Sequence, residues 1–278
     1  MKRILFPTDF SECATNAFNC ALRLAKATDA QLHVLHVLFP NEGIDNHLYN
    51  TYWADDYLEQ REKSLDHWIR EEARKVEVPM TQIALHCTVG FPVAAICTLA
   101  EETQSDLIVM GTTGSTGLKG VFLGSVAAGV LHKTRIPALA IPDGTPFPIA
   151  GDAVFATDFR FNADDHSLDV LNALLRYQKG RLHAVHVLDK PGKKEDPIRE
   201  NSLRSKLEDN TVDFHYLHDQ DIAQAISNFI ESIDAGLLVA VAHDHSILHT
   251  IFHDSITRKL AYHTRVPLLV FHEPKKEL

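Results

Sequence analysis

The chain repeats itself, and the repeat constrains the fold more than any other feature. The stretch "LHVLHVL" at 32–38 returns as "LHAVHVL" at 182–188, an offset of 150 residues. "PTDF" at 7–10 returns as "ATDF" at 156–159, offset 149, and "TRIPALAI" at 134–141 returns as "TRVPLLVF" at 264–271, offset 130. The order is the same both times, so the second copy is shorter by about 20 residues in its middle. There the first copy carries a charged segment, 53–76, that the second largely lacks. Self-similarity of this kind in 278 residues reads as two copies of one domain. Proline and glycine cluster in "PDGTPFPIAGD" at 142–152, which puts the boundary between domains 1–145 and 146–278. Each half can bury about two-thirds of its unfolded surface and support its own core.

Within the first copy, apolar runs alternate with helical patterns. Strands are expected at 4–6, 32–38, 83–88, 107–110 and 138–141. Between them, Ala14, Ala17, Phe18, Ala21, Leu22 and Ala25 follow helical spacing behind a capping Ser11. Further helices are expected at 55–75, at 92–102 with proline in the first turn, and at 125–133. Strand–helix alternation specifies a parallel α/β sheet with helices on both faces. Ligands of such sheets bind beyond the carboxyl ends of the strands, where the strand order reverses.

One loop in the right place is unusual. "GTTGSTGLKGVFLGS" at 111–125 holds five of the thirteen glycines and leaves the end of a strand for the start of a helix. A helix start presents unpaired N–H groups and a partial positive charge, a seat for an anion. Gly111 and Gly114 are expected to supply positive φ and a close approach of backbone to ligand. Ser125 adds a hydroxyl and Lys119 a mobile cation. The P-loop and dinucleotide fingerprints are absent, so neither of those classes applies. On spacing alone, a flexible surface loop with an ordinary N-cap serves equally well.

The spacing Gly111-x-x-Gly114, nine residues, then Gly124-Ser125 matches the G-2x-G-9x-G-(S/T) motif of nucleotide-binding universal stress proteins. "ILFPTDFSE" resembles that family's opening strand and aspartate, "LHVLHV" its second strand, "GFP" at 90–92 its G-x-P, and "RIPALAIP" its closing strand. The chain thus resembles a tandem universal stress protein throughout its length. The resemblance implies two Rossmann-like domains of the adenine nucleotide alpha hydrolase type, each a five-stranded parallel sheet. It implies ATP or AMP, with Mg as an accompanying cation, in the first domain. Asp9 would lie near the adenine and Val37 against base or ribose, with Pro7 and Thr8 shaping the loop beneath. Gly111, Gly114, Gly124 and Ser125 would hold ribose and phosphates, with Thr112 and Val126 beside them. Asp9 has a plainer alternative as a turn residue, and Val37 as core.

The second copy has lost the loop. At offset 130, Gly111 becomes Val241, Gly114 becomes Asp244 and Gly124 becomes Asp254; the serine survives as Ser255. A carboxylate about 4 Å from a phosphate repels it by roughly 4 kcal/mol at an effective dielectric near 20. Two would exceed half of a micromolar binding energy of about 8 kcal/mol. Asp158 remains but has no phosphate loop to work with. In place of the glycines stands "HDHSILHTIFHDS" at 243–255. His249 and His253 share a face if helical, a spacing that chelates zinc, and exposed histidines on a loop and helix are the alternative.

The formal charge of −10 disfavours nucleic acid and anionic membrane surfaces. No apolar run is long enough for a signal peptide or a membrane span, which points to the cytoplasm. The four cysteines have no C-x-x-C spacing and read as reduced, buried small hydrophobes. No dedicated catalytic base or metal carboxylate for hydrolysis is evident, so no catalytic residue is assigned and any ATP turnover should be weak. A slow ATPase and a scaffold without nucleotide stand as alternatives to a regulatory nucleotide-binding protein. Both closing strands are apolar edges that need cover, which the two copies can give each other inside the chain; a further homodimer has no particular residue behind it.

Overall fold

A computed structural model describes residues 1–39, 51–114, 123–146, 149, 151–157, 165–188, 197–207, 212–242 and 266–272. The first half runs β1 (Arg3–Thr8), α1 (Glu12–Thr28), β2 (Gln31–Leu38), α2 (Thr51–Val76), β3 (Ile83–Val89), α3 (Pro92–Glu102), β4 (Leu107–Gly111), α4 (Ser125–Lys133) and β5 (Ala138–Ile141). The second half runs β6 (Ala153–Ala156), α5 (Asp165–Gln178), β7 (Leu182–Leu188), α6 (Pro197–Lys206), β8 (Val212–His218), α7 (Ile222–Ser232), β9 (Leu237–Ala242) and β10 (Leu268–His272). The shortening of the second copy falls on α6, which has 10 residues against 26 in α2. Among the described residues no helix is long and apolar enough to cross a membrane.

The strands form one sheet in the order β3-β2-β1-β4-β5-β10-β9-β6-β7-β8. Each half therefore has the same internal order, third-second-first-fourth-fifth. The described pairings within a half are parallel, and β5 meets β10 antiparallel through Ala138–Val270, Leu139–Leu269 and Ala140–Leu268. Two five-stranded sheets are thus continuous across their closing strands. Strand β1 runs on through Pro7 to Thr8, two residues beyond the expected end. Proline is tolerated there because β4 pairs with β1 only at Ile4 and Leu5, leaving the edge beside Pro7 without a ladder to donate to.

Burial on both faces explains the unbroken apolar strands. One face packs α1, α2 and α5 around Phe6, Phe18, Phe155 and Phe271; the other packs α3, α4 and α7 around Leu5, Ile108, Val154 and Leu238. Both clusters draw on both halves. Ser11 caps α1 as expected, accepting from the Ala14 N–H at 3.1 Å. Cys13 and Cys20 are buried and free, whereas Cys87 and Cys97 are only half-buried, on β3 and α3. Burial still pushes the Cys20 thiol up to about 12 and the Cys87 thiol to about 11.

A histidine pair recurs in both halves. His33 Nδ1 lies 3.0 Å from His86 Nε2, and His183 Nδ1 lies 3.0 Å from His215 Nε2. His183 Nε2 also bonds Asp152 Oδ2 at 2.9 Å, while His33 Nε2 is buried without a partner among the described residues. Burial holds His33 and His86 below the usual imidazole range, with His86 and Arg3 lowering His33 further. Burial and then His183 lower His215, against an opposing Asp213.

Because both aromatic indoles, Trp53 and Trp68, lie in the first half, tryptophan fluorescence reports that half while far-UV dichroism reports the whole. One shared core predicts coincident urea transitions by the two probes; a separate dichroism step for the second half would contradict it. The depressed histidines also set a pH dependence. Their folded values lie below the unfolded value of about 6.5, so the unfolded chain binds more protons as pH falls past that point. Stability is therefore expected to drop between pH 7.5 and 5.5. Equal urea midpoints at those two pH values would contradict the burial of these imidazoles.

Candidate functional site

The strand order of the first half reverses between β1 and β4, and a cavity of about 830 Å³ opens there at the carboxyl ends. The ten residues that the family resemblance implies all line it. Pro7, Thr8 and Asp9 come from the end of β1, and Val37 from β2. Gly111, Thr112 and Gly114 lead out of β4, while Gly124, Ser125 and Val126 open α4. Lys119 lies outside the described residues.

The β1 turn is built by local side-chain bonds. Thr8 Oγ1 accepts from the Phe10 N–H at 3.1 Å, and Asp9 Oδ1 accepts from the Ser11 N–H at 3.1 Å. His36 Nδ1 donates to the Thr8 carbonyl at 2.9 Å, tying β2 to the same turn. Phe10 takes a left-handed conformation, φ 62°, which a bulky residue adopts at a cost of order 1–3 kcal/mol. Its ring is held against His36 at 4.5 Å and edge-on to Trp68 at 5.6 Å. Asp9 thus fills its plain turn role through one oxygen while it lines the cavity.

The glycines work by proximity and not by positive φ, which corrects the expectation for Gly111 and Gly114. Among the described glycines, positive φ occurs at Gly144 and Gly151. A Cβ at Gly111 would lie 2.9 Å from Cys13 Sγ and 3.2 Å from the Cys13 backbone. One at Gly114 would lie 2.7 Å from Asp9 Oδ2. One at Gly124 would lie 3.3 Å from the Thr112 carbonyl, to which the Gly124 N–H donates at 2.6 Å. Gly124 is the N-cap of α4 and has no side chain to satisfy its first-turn amides. Those amides carry the helix's positive end and open onto the cavity, an arrangement suited to an anion.

Sequence reasoning missed part of the wall. Phe10, His36, Tyr57, Arg61, Pro92 and Ile96 also line the cavity. Tyr57 and Arg61 are one turn apart on α2, with Arg61 Nη2 donating to the Tyr57 hydroxyl at 2.7 Å and its guanidinium 5.0 Å from the ring centre. Their i, i+4 spacing was readable, but which way that stretch of α2 faces depends on how the helix lies over the sheet. At the rim, Phe39 and Phe91 are 44% and 68% exposed and meet edge to face at 6.2 Å.

In the second half, Val241 stands buried near the end of β9 in the place of Gly111. Asp158, Asp244, Asp254, Ser255 and the histidine-rich stretch 243–255, with its zinc spacing at His249 and His253, lie outside the described residues. Among the described residues no group of three or more His, Cys, Asp or Glu is placed to hold a metal.

The Universal stress protein family model matches residues 1–142, just over half of the chain. The chain belongs to the universal stress protein family. It is 32% identical over 149 residues to Universal stress protein MJ0531 of Methanocaldococcus jannaschii, covering 50% of this chain and 81% of that one. With Universal stress protein MJ0577 of the same organism the identity is 30% over 152 residues, covering 50% of this chain and 94% of the other. The crystal structure of a universal stress protein from Archaeoglobus fulgidus shares the fold over 98% of both chains, with a TM-score of 0.75 and 23% identity. That match covers both halves with one fold.

The close approach at Gly111 carries a stability consequence. Gly111→Ala forces a methyl against Cys13 and is expected to cost about 1–3 kcal/mol in urea unfolding. Adding Cys13→Ala should restore only part of it, since the backbone contact at 3.2 Å stays. A Gly111→Ala protein as stable as the parent would show that the strand end is looser than this geometry.

Proposed function

We propose that the chain is a regulatory adenine-nucleotide-binding protein of stress adaptation that holds ATP or AMP in its first domain, 1–145. The second domain, 146–278, acts as a scaffold whose phosphate loop has been replaced. What carries the reading is the single cavity lined by all ten residues that the family motif implies, with an uncapped helix start at Gly124–Ser125 on one wall. Apolar Val37 and Met110 suit a base, and bare amides suit its phosphates. The residues present fit a nucleotide; Mg would accompany the phosphates from solvent, and no hydrolytic step is assigned to any residue.

The replaced loop supports one nucleotide per chain. Val241 brings a branched side chain where the first half has no room for a methyl. The β5–β10 pairing supports an assembly in which each domain covers the other's closing edge, so that the chain needs no second copy for that purpose. The proposed setting is the cytoplasm.

Incubating purified protein with ATP and analysing the retained ligand tests the reading. One adenine nucleotide per chain is expected, and Gly124→Asp should abolish it by placing a carboxylate at the amide seat. Retention of two per chain, or retention by the Gly124→Asp protein, would move the site elsewhere.

A further inference from the structure

The nucleotide reading leaves a charge unbalanced. A phosphate chain entering this cavity brings several negative charges into a protein of net charge −10 and into a cavity that already holds the Asp9 carboxylate. Helix-start amides contribute only partial positive charge, about half an elementary charge. Among the described lining residues, Arg61 is the one lysine or arginine.

Arg61 is also in the right electrostatic state for the task. Three other cations of α2 are paired to acids on the same helix, Lys63 with Glu59, Arg70 with Asp66 and Lys75 with Glu72. Arg61 has no carboxylate partner among the described residues; it donates to the Tyr57 hydroxyl and lies over the Tyr57 ring. A phenol leaves the guanidinium's charge unneutralised and holds its planar fork in place with several N–H donors unspent. It is half-buried on the cavity wall, so its charge is partly shielded from solvent screening. Helix α2 packs with α1 on one face of the sheet, and α4 packs on the other. Arg61 and the start of α4 thus line the same cavity from helices on opposite faces of the sheet.

We propose that Arg61, braced by Tyr57, is the counter-cation for the phosphate of the bound nucleotide. The site then selects anionic adenine nucleotides over the uncharged nucleoside. This rests on the nucleotide reading above and adds to it the residue that reads charge. Arg61 supplies part of the neutralisation that Mg would otherwise supply alone, so its effect persists when divalent cations are removed.

Calorimetric titration of the ligand-free full-length chain with adenosine, AMP and ATP, each with Mg and with EDTA, tests the assignment. Arg61→Gln is expected to weaken ATP and AMP by about tenfold or more in both conditions, the scale of a lost charge-assisted hydrogen bond, and to leave adenosine unchanged. Arg61→Lys keeps the charge without the fork and should fall between Arg61→Gln and the parent; Tyr57→Phe removes the brace and should cost less than Arg61→Gln. Unchanged ATP affinity in Arg61→Gln would overturn the proposal, and so would an equal loss for adenosine and ATP, which would mark a role in shape. A parent chain that binds none of the three ligands would overturn the nucleotide reading itself.

Discussion

The site depends on backbone packed against backbone at the carboxyl end of β4. The Gly124 N–H reaches the Thr112 carbonyl at 2.6 Å and pins the start of α4 to the strand it follows. That contact is sterically available because Gly124 has no Cβ to meet the same carbonyl at 3.3 Å. Gly111 and Gly114 make the same concession toward Cys13 and Asp9. Three absent methyls let the β1 turn, the β4 exit and the α4 entry draw around one space. The partial charge of the helix start, the Asp9 carboxylate and the Arg61 guanidinium then all address it.

Duplication and divergence are both visible in the side chains. His36 and His186 each donate from Nδ1 to a carbonyl, of Thr8 and Thr157, at 2.9 Å, so the β1 turn and its copy are braced in the same way. The histidine pairs on the second and third strands also recur, yet among the described residues only the second half supplies a carboxylate, Asp152, to the outer nitrogen. The first half has Arg3 among the groups acting on His33 instead. Scaffold features have been kept while the residues at the strand ends have drifted. The long α2, with its Tyr57–Arg61 pair, belongs to the half whose glycine motif is intact.

Much of this was legible in the sequence because the signals were local or periodic. The ends of α3, α4 and β5 fall where Pro92, Gly124-Ser125 and the apolar run 138–141 put them. That Gly111, Gly114, Gly124 and Ser125 line one cavity was legible through a fixed spacing of glycines, and Pro7, Thr8, Asp9 and Val37 join them as the family resemblance implied. Two things were not. The reason for Gly111 and Gly114 is the position of Cys13 and Asp9, residues about a hundred positions away, and no local rule for turns contains that. Tyr57 and Arg61 join the cavity through the lie of a 26-residue helix over the sheet, which is a tertiary fact. β1 ran past Pro7 for a similar reason, since its pairing with β4 reaches only to Leu5 and proline breaks no ladder there.

The most direct test is a crystal structure of the full chain grown with ATP. Density for one nucleotide is expected, its phosphates against the Ser125 and Val126 amides and its base between Val37 and the β1 turn. A nucleotide bound in the second half with the first cavity vacant would contradict it.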